Sequence, residues 1–437
     1  MRHVAIIGSG PAGYYTAEAA QKAFGSDVQI DIFDRLPSPY GLIRSGVAPD
    51  HQPIKDVTHR YEDVALSDNV RFVGNVSIGS DVSIPELQDL YDAVILATGA
   101  PSDRPLDIPG HELANVFGSA AFVGWYNGHP QFAELAPDLS GKTAVIIGMG
   151  NVALDVARIL AKAPEEFAGS DIVSHALDRL RQSKLERIVI IGRRGPHQIM
   201  MTPKELGELG HLQRATPVVH ADDLPPADTD HALDPAHRKS LAHLRAFAET
   251  GDGDASKPVK VEFVFNAIST ALIGEDGIEA IELERTQTVD DLAVGTGDVF
   301  RIPADLLISC IGYRSVPIAG VPFDEAAGHF ANVDGRVAPG IYCVGWARRG
   351  PSGTIGTNRP DGYAIIDRLV EDIDAGVIGA ADRRGRAGFD VLAQARGLDV
   401  VTFRDWKKIE EAEEHAARTG APREKFVDVM DMIKARN

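Results

Sequence analysis

Unbroken apolar runs that stop abruptly at a glycine recur along the chain. Val4-Ala5-Ile6-Ile7 and Thr143-Ala144-Val145-Ile146-Ile147 carry no polar alternation after their first residue, the pattern of strands covered on both faces. Each is followed at once by a glycine-rich turn and then by a helix-like spacing of apolar positions, the second helix running over 152–163 and closed by Pro164. A second buried strand follows each helix, Gln29-Ile30-Asp31-Ile32-Phe33 in the first case and Ile188-Val189-Ile190-Ile191-Gly192 in the second. Two further runs repeat each other, Asp92–Ala100 and Asp305–Tyr313, and a late one spans Gly340–Trp346. Strand, turn, helix and strand therefore occur twice, which makes the fold class α/β with parallel sheets.

The turns themselves carry chemistry. The first reads Gly8-Ser9-Gly10-Pro11-Ala12-Gly13 and the second Gly148-Met149-Gly150-Asn151-Val152-Ala153. Glycines let the backbone approach a pyrophosphate, and the helix N-terminus offers free N–H groups to it. The chain is thus expected to contain two Rossmann-like dinucleotide-binding domains. The corner after each cradle separates them. Asp34 stands about 20 residues past the first, where a carboxylate accepts from a ribose hydroxyl and repels a 2′-phosphate, which suits FAD or NAD. Arg193 and Arg194 stand at the second corner, where two guanidiniums suit the 2′-phosphate of NADP(H). Two dinucleotides in one chain imply a hydride passed between them.

The remaining pattern sets the organisation. Residues 1–102 and 316–437 are read as one discontinuous FAD-binding domain, and 103–315 as an inserted NADP-binding domain. The Pro- and Gly-rich stretch Ser38–Asp50 is expected to be a non-helical loop. The segment 164–185 enlarges a crossover, and 222–234 and 249–257 are expected to be surface loops. Strands over 260–265, 267–273, 278–285 and 298–302 suggest a small meander. Helices are expected over about 362–374 and 406–418.

Composition narrows the function. The chain has 437 residues, 44% hydrophobic and 24% charged, ordinary for a globular enzyme of two domains. Its net charge of −19 argues against nucleic acid and anionic membrane surfaces as partners. Only two cysteines exist, Cys310 and Cys343, both within apolar strand patterns and expected to be buried. No Cys pair stands ready to take electrons from a flavin, and two cysteines cannot hold an iron–sulfur cluster, so a second redox centre must lie on another molecule. No metal site is expected. No run of about 18 apolar residues is present, so no membrane span is expected. The first strand begins at His3 or Val4, which leaves no room for a targeting peptide and predicts a cytoplasmic location.

With these motifs in hand, the chain resembles the adrenodoxin-reductase type of ferredoxin–NADP+ reductase, a two-dinucleotide-binding flavoprotein of glutathione-reductase-like fold. The match rests on both cradles, on Tyr40–His51, Gly150–Arg158 and Gly192–Pro196, and on the stretch Trp346–Asn358, and it extends along essentially the whole chain. The Ala97-Thr98-Gly99 turn is also shared with such flavoproteins. The resemblance implies FAD and NADP(H) as cofactors, and hydride transfer from NADPH followed by single-electron transfer to a separate ferredoxin or adrenodoxin-like iron–sulfur protein.

It further implies site residues. Gly8, Gly10, Ala12, Gly13, Asp34, Leu42, Val76, Trp346, Gly353, Thr354 and Ile355 match positions that hold FAD. Met149, Gly150, Asn151, Val152, Arg193, Arg194, Glu205 and again Gly353 match positions that hold NADP. His51 and Asp155 match a pair linked to proton handling near the flavin. Asp34 departs from the commoner glutamate. Arg179, Arg181, Lys184, His237, Arg238, Lys239, Arg245, Arg348 and Arg349 are candidates for docking an acidic partner. Competing readings are a reductase with a different acceptor, a glutamate-synthase-like subunit (whose cysteine-rich segment is missing here), a flavin monooxygenase and a sensor that binds both nucleotides without turnover.

Overall fold

The computed structural model describes residues 1–290, 292–379 and 382–437. The chain divides into two compact units, one of residues 1–102, 127–133 and 312–437, the other of residues 103–126 and 134–311. The chain re-enters the first unit at 312, ahead of the expected 316, and lends it the short segment 127–133 as well.

The first unit is built on a six-stranded sheet in the order Arg336–Ala338, Ile341–Cys343, Ala93–Leu96, Arg2–Ile7, Val28–Phe33 and Val70–Val73. All neighbours are parallel except the first pair. The strand Arg2–Ile7 lies at its centre, and the lack of polar alternation there is explained by cover on both faces. Val4 and Ile6 join one core with helix Pro11–Phe24, whereas Ala5 and Ile7 join another with Phe33, Leu96 and Phe389. Helix Asn358–Asp374 packs along Pro11–Phe24. It starts at Asn358, four residues before the expected 362.

The second unit repeats this plan. Its parallel sheet runs Val116–Gly118, Leu306–Ser309, Thr143–Ile147, Arg187–Ile191, Val259–Val264 and Ala215–Val218. Val259–Val264 was expected in the meander. It pairs instead with Arg187–Ile191, because Val259, Val261 and Phe263 find a covered face there. The meander proper is the antiparallel sheet Ala267–Ile273, Ala280–Val289 and Leu292–Pro303. The enlarged crossover holds helix Ser174–Arg181, and Ser38–Asp50 contains one short helix, Leu42–Ser45, entered through Gly41 at φ 50°. The expected tail helix spans Phe403–His415.

Candidate functional site

In each unit the turn after the central strand is shaped by what a side chain would strike. Gly8 sits at φ +111°, and a Cβ there would stand 2.4 Å from the carbonyl of Ala97. A Cβ on Gly13 would stand 2.1 Å from the carbonyl of Gly8. Gly148, at φ +130°, would meet the carbonyl of Cys310 at 2.4 Å. Ala97 and Cys310 occupy the same place in the two repeated strands, so the internal repeat read from the sequence is a shared turn geometry. Gly10 and Gly150 differ from these. A Cβ on either meets nothing within 4 Å, yet each residue opens its helix without a side-chain cap. The first-turn N–H groups of helices Pro11–Phe24 and Asn151–Ala161 thus carry no side-chain cap, the arrangement a pyrophosphate can use.

Asp34 does more than sequence reading assigned to it. Its Oδ2 accepts from Ser9 N at 3.0 Å and Ser9 Oγ at 2.5 Å, and its Oδ1 accepts from Leu36 N at 3.0 Å. The carboxylate thus ties the acid corner to the cradle, and three of about four acceptor positions are filled. Burial pushes its pKa above the usual carboxylate value, against the pull of the Ser9 and Leu36 hydrogen bonds. Val76 is buried and donates its N–H to the Asp34 carbonyl at 2.9 Å. Ala12 is buried in the first helical turn. Thr98 Oγ1 beside Gly8 is buried with no hydrogen-bond partner among the described residues, a polar atom that a bound cofactor can satisfy.

Leu42 is exposed on the short helix Leu42–Ser45, and the residues that brace this turn were not singled out in the sequence. Tyr40 holds φ 83°, unusual for a non-glycine, and donates its N–H to Ser9 O at 3.0 Å. Arg44 Nη1 donates to the fully buried Glu413 at 2.8 Å, and the guanidinium carbon lies 5.0 Å from the centre of the Trp406 ring. Buried Lys425 donates to the Arg44 carbonyl at 3.1 Å. The C-terminal segment therefore buttresses the turn. No local spacing signals a contact whose partners lie 369 positions apart.

The late stretch is brought against the same cradle. A Cβ on Gly345 would stand 2.8 Å from Ala12 Cβ and 2.8 Å from Asn358 Oδ1. Trp346 is half-buried, stacks on Tyr313 with ring centres 6.1 Å apart, and donates Nε1 to Ser352 O at 2.9 Å. Gly353 takes φ +80°, and Thr354 leads into the turn Ile355–Thr357. Asn358 Nδ2 donates to the carbonyls of Thr354 at 3.3 Å and Ile355 at 3.1 Å. Gly8, Gly10, Ala12, Gly13, Asp34, Val76, Gly345 and the Trp346–Ile355 stretch thus belong to one unit around one cradle.

In the second unit, Met149 O accepts from Met200 N at 2.9 Å, and Asn151 Oδ1 accepts from Thr202 N at 2.8 Å. Val152 is half-buried beside them in the first turn of its helix. Glu205 lies in the first turn of helix Pro203–Glu208, which the Asn151–Thr202 bond positions. Arg193 is exposed and Arg194 half-buried, and neither guanidinium has a hydrogen bond or ion pair among the described residues.

His51 and Asp155 fall in different units. His51 is 8% exposed and precedes helix Gln52–Lys55. Asp155 Oδ1 pairs with the buried Arg158 at 2.6 Å, which also reaches Glu208 at 3.2 Å. Among the docking candidates, Arg348 and Arg349 turn onto Asp361 at 2.6 and 3.1 Å, and Arg245 onto Asp230 at 2.8 Å. Arg181 and His237 pair with Asp178 and Asp234. Arg179, Lys184, Arg238 and Lys239 remain exposed with no ion pair among the described residues. Cys343 is buried and its thiol is pushed up to about 12 by desolvation. Cys310 is half-buried, against the expectation of full burial, but desolvation raises its thiol too.

Two cradles on two parallel sheets, one closed by an acid and one by free arginines, define a two-dinucleotide-binding oxidoreductase. The family described as pyridine nucleotide-disulphide oxidoreductase matches residues 2–191. The human mitochondrial NADPH:adrenodoxin oxidoreductase is 42% identical over 99% of this chain and 91% of its own. The NADPH-ferredoxin reductase FprA of Mycobacterium tuberculosis is 39% identical over 99% of this chain and 98% of its own. A solved structure of that FprA in complex with NADPH superimposes with a TM-score of 0.95, at 38% identity, over 100% of this chain and 99% of the other. The chain belongs to the adrenodoxin-reductase-type ferredoxin–NADP+ reductase family, whose members use FAD and NADP(H).

Proposed function

We propose that this chain passes electrons from NADPH through FAD to a separate ferredoxin-type iron–sulfur protein, with residues 1–102 and 316–437 holding FAD and 103–315 holding NADP(H). The observation that carries this reading is the contrast between the two corners. Asp34 is engaged and would repel a 2′-phosphate, whereas Arg193 and Arg194 stand unpaired. Bound FAD supplies the exchange of a hydride for two single electrons.

The residues of the chain bind and orient. Gly10 and Gly150 leave room for the pyrophosphates, and the free N–H groups of the helices they open supply the donors. Asp34 keeps one acceptor position for a ribose hydroxyl. Gly353, Thr354 and Ile355, held by Asn358, present backbone N–H groups toward the flavin edge where negative charge gathers on reduction. Met149, Asn151, Val152 and Glu205 hold the NADP side. Trp346, stacked on Tyr313, walls the flavin. Leu42 and Val76 hold the FAD side.

Anaerobic mixing of the purified yellow protein with NADPH, then with NADH, tests the function. Rapid bleaching of the visible flavin band with NADPH much preferred is the expected result, followed by cytochrome c reduction that depends on added ferredoxin and weakens with salt. The salt effect is expected because exposed Arg179, Lys184, Arg238 and Lys239 offer an acidic partner local attraction. Bound FAD that neither nucleotide bleaches would leave only a sensor of both nucleotides.

His51 and Asp155 are assigned to proton handling. An imidazole can exchange protons near neutral pH, and Asp155 is held in a defined position by Arg158 at 2.6 Å. His51→Ala is expected to displace the pH profile of hydride transfer. An unmoved profile would make the pair a structural feature only. The proposed location is cytoplasmic, which the two unpaired thiols support. Cell fractionation decides this, since the human relative is named mitochondrial.

A further inference from the structure

The corner that carries Arg193 and Arg194 is held by groups from a part of the chain with no other connection to nucleotide binding. Strand Ala280–Val289 of the meander begins with regular alternation, Ile281 and Leu283 inward, Glu282 and Glu284 outward. Continued alternation would bury Arg285 next. Instead the register shifts, with Glu284 opposite Val299 but Thr286 opposite Gly295. The bulge turns Arg285 aside, with its guanidinium 4.3 Å from the centre of the Phe300 ring, and buries Thr286. Thr286 Oγ1 then donates to the carbonyl of Arg193 at 2.7 Å.

Asn266 completes the strap. It sits between strands Val259–Val264 and Ala267–Ile273 at φ 50°, a left-handed conformation that asparagine tolerates better than most residues. Its N–H donates to the carbonyl of Arg194 at 3.3 Å, and its own carbonyl accepts from Thr286 N at 2.8 Å. On the near side, Gly192 donates to Val264 O at 2.9 Å and accepts from Ala267 N at 3.0 Å. Each carbonyl from Gly192 to Arg194 is therefore occupied, and the two arginine side chains leave from a backbone that has no slack. A hydroxyl buried by a bulge, with a carbonyl of the arginine corner as its partner, is hard to explain by packing alone, since valine would fill the same space.

We infer that Thr286, acting with Asn266, is a positioning residue for coenzyme choice: it sets the direction of the Arg193–Arg194 corner and so favours a 2′-phosphorylated adenosine. This rests on the reading of that corner as the 2′-phosphate site.

The test uses the FAD-loaded protein and calorimetric titration with adenosine 2′,5′-bisphosphate and with ADP, beside steady-state kinetics. Thr286→Val keeps the shape and removes the donor. It is expected to weaken the bisphosphate about three- to tenfold and leave ADP unchanged. The KM for NADPH should rise by the same factor with kcat and the NADH constants unmoved, and Thr286→Ser should restore the wild-type values. In an Arg193→Ala, Arg194→Ala background, Thr286→Val should have no further effect. Equal weakening toward both adenosine ligands, or a fall in Tm with both affinities intact, would overturn the inference. So would an additive loss in the arginine-free background. If the double arginine variant itself bound the bisphosphate normally, the corner reading would fail first, a result distinct from a silent Thr286→Val.

Discussion

Replacing Arg193 and Arg194 together by alanine is expected to bring the affinity for NADPH down to that for NADH. Each charge-assisted hydrogen bond is worth about 1.5–3 kcal/mol, so losing two costs roughly two to four powers of ten. The structure supports an effect confined to the 2′-phosphate. Neither guanidinium holds any other described group together, and the backbone of the corner is fixed through its carbonyls by Ala267, Thr286 and Asn266. Removing the side chains should therefore leave the fold and the NADH constants intact. The measurement is the ratio of kcat/KM for NADPH over NADH, with Tm alongside. An unchanged ratio would remove the NADP(H) assignment of the second cradle.

The order in which the two cofactor sites could be read follows from where their determinants lie. Cradles, acid corner and arginine corner are each contiguous in sequence, because a strand, a turn and the start of a helix are local structure. The buttress of the Leu42 turn by Arg44, Glu413 and Lys425 is not local, and neither is the placement of Gly345 against Ala12. The reach of sequence reading shows in two places. Val259–Val264 reads as a half-buried meander strand because it alternates, yet it completes the parallel sheet at a position where one face is less covered. Arg348 and Arg349, read as docking candidates, pair with Asp361, 13 and 12 residues on, a partner their local sequence does not reveal. Alternation and charge report the chemistry of a segment, whereas the partner that a segment meets is decided by the tertiary fold. Asp34 shows the same limit at the site itself, since its bonds to Ser9 are invisible in the spacing that marks it as a ribose ligand.

Gly10→Ala should be silent in the fold and ruinous for FAD, and Gly150→Ala should do the same for NADPH while the protein stays yellow. Gly10 has φ −79° and ψ −173°, and Gly150 has φ −120° and ψ 179°, backbone that alanine adopts without strain. Beyond the chain neighbours and the helix's own backbone, no described atom lies within 4 Å of the added carbon in either case. The space it enters is the space a pyrophosphate must use to reach the helix N–H groups, so the clash falls on the cofactor alone. An overpacked contact costs about 1–3 kcal/mol, which is roughly five- to 140-fold in cofactor affinity. Gly13→Ala provides the contrast, because its Cβ would stand 2.1 Å from Gly8 O and must push the helix off the strand. That variant should lose Tm as well as FAD. Bound flavin per chain, NADPH affinity and Tm, measured on all three variants, separate cradle from scaffold. If Gly10→Ala kept its flavin at wild-type affinity, the first turn would be a tight strand-to-helix connection and nothing more, and the FAD site would have to be sought elsewhere in that unit.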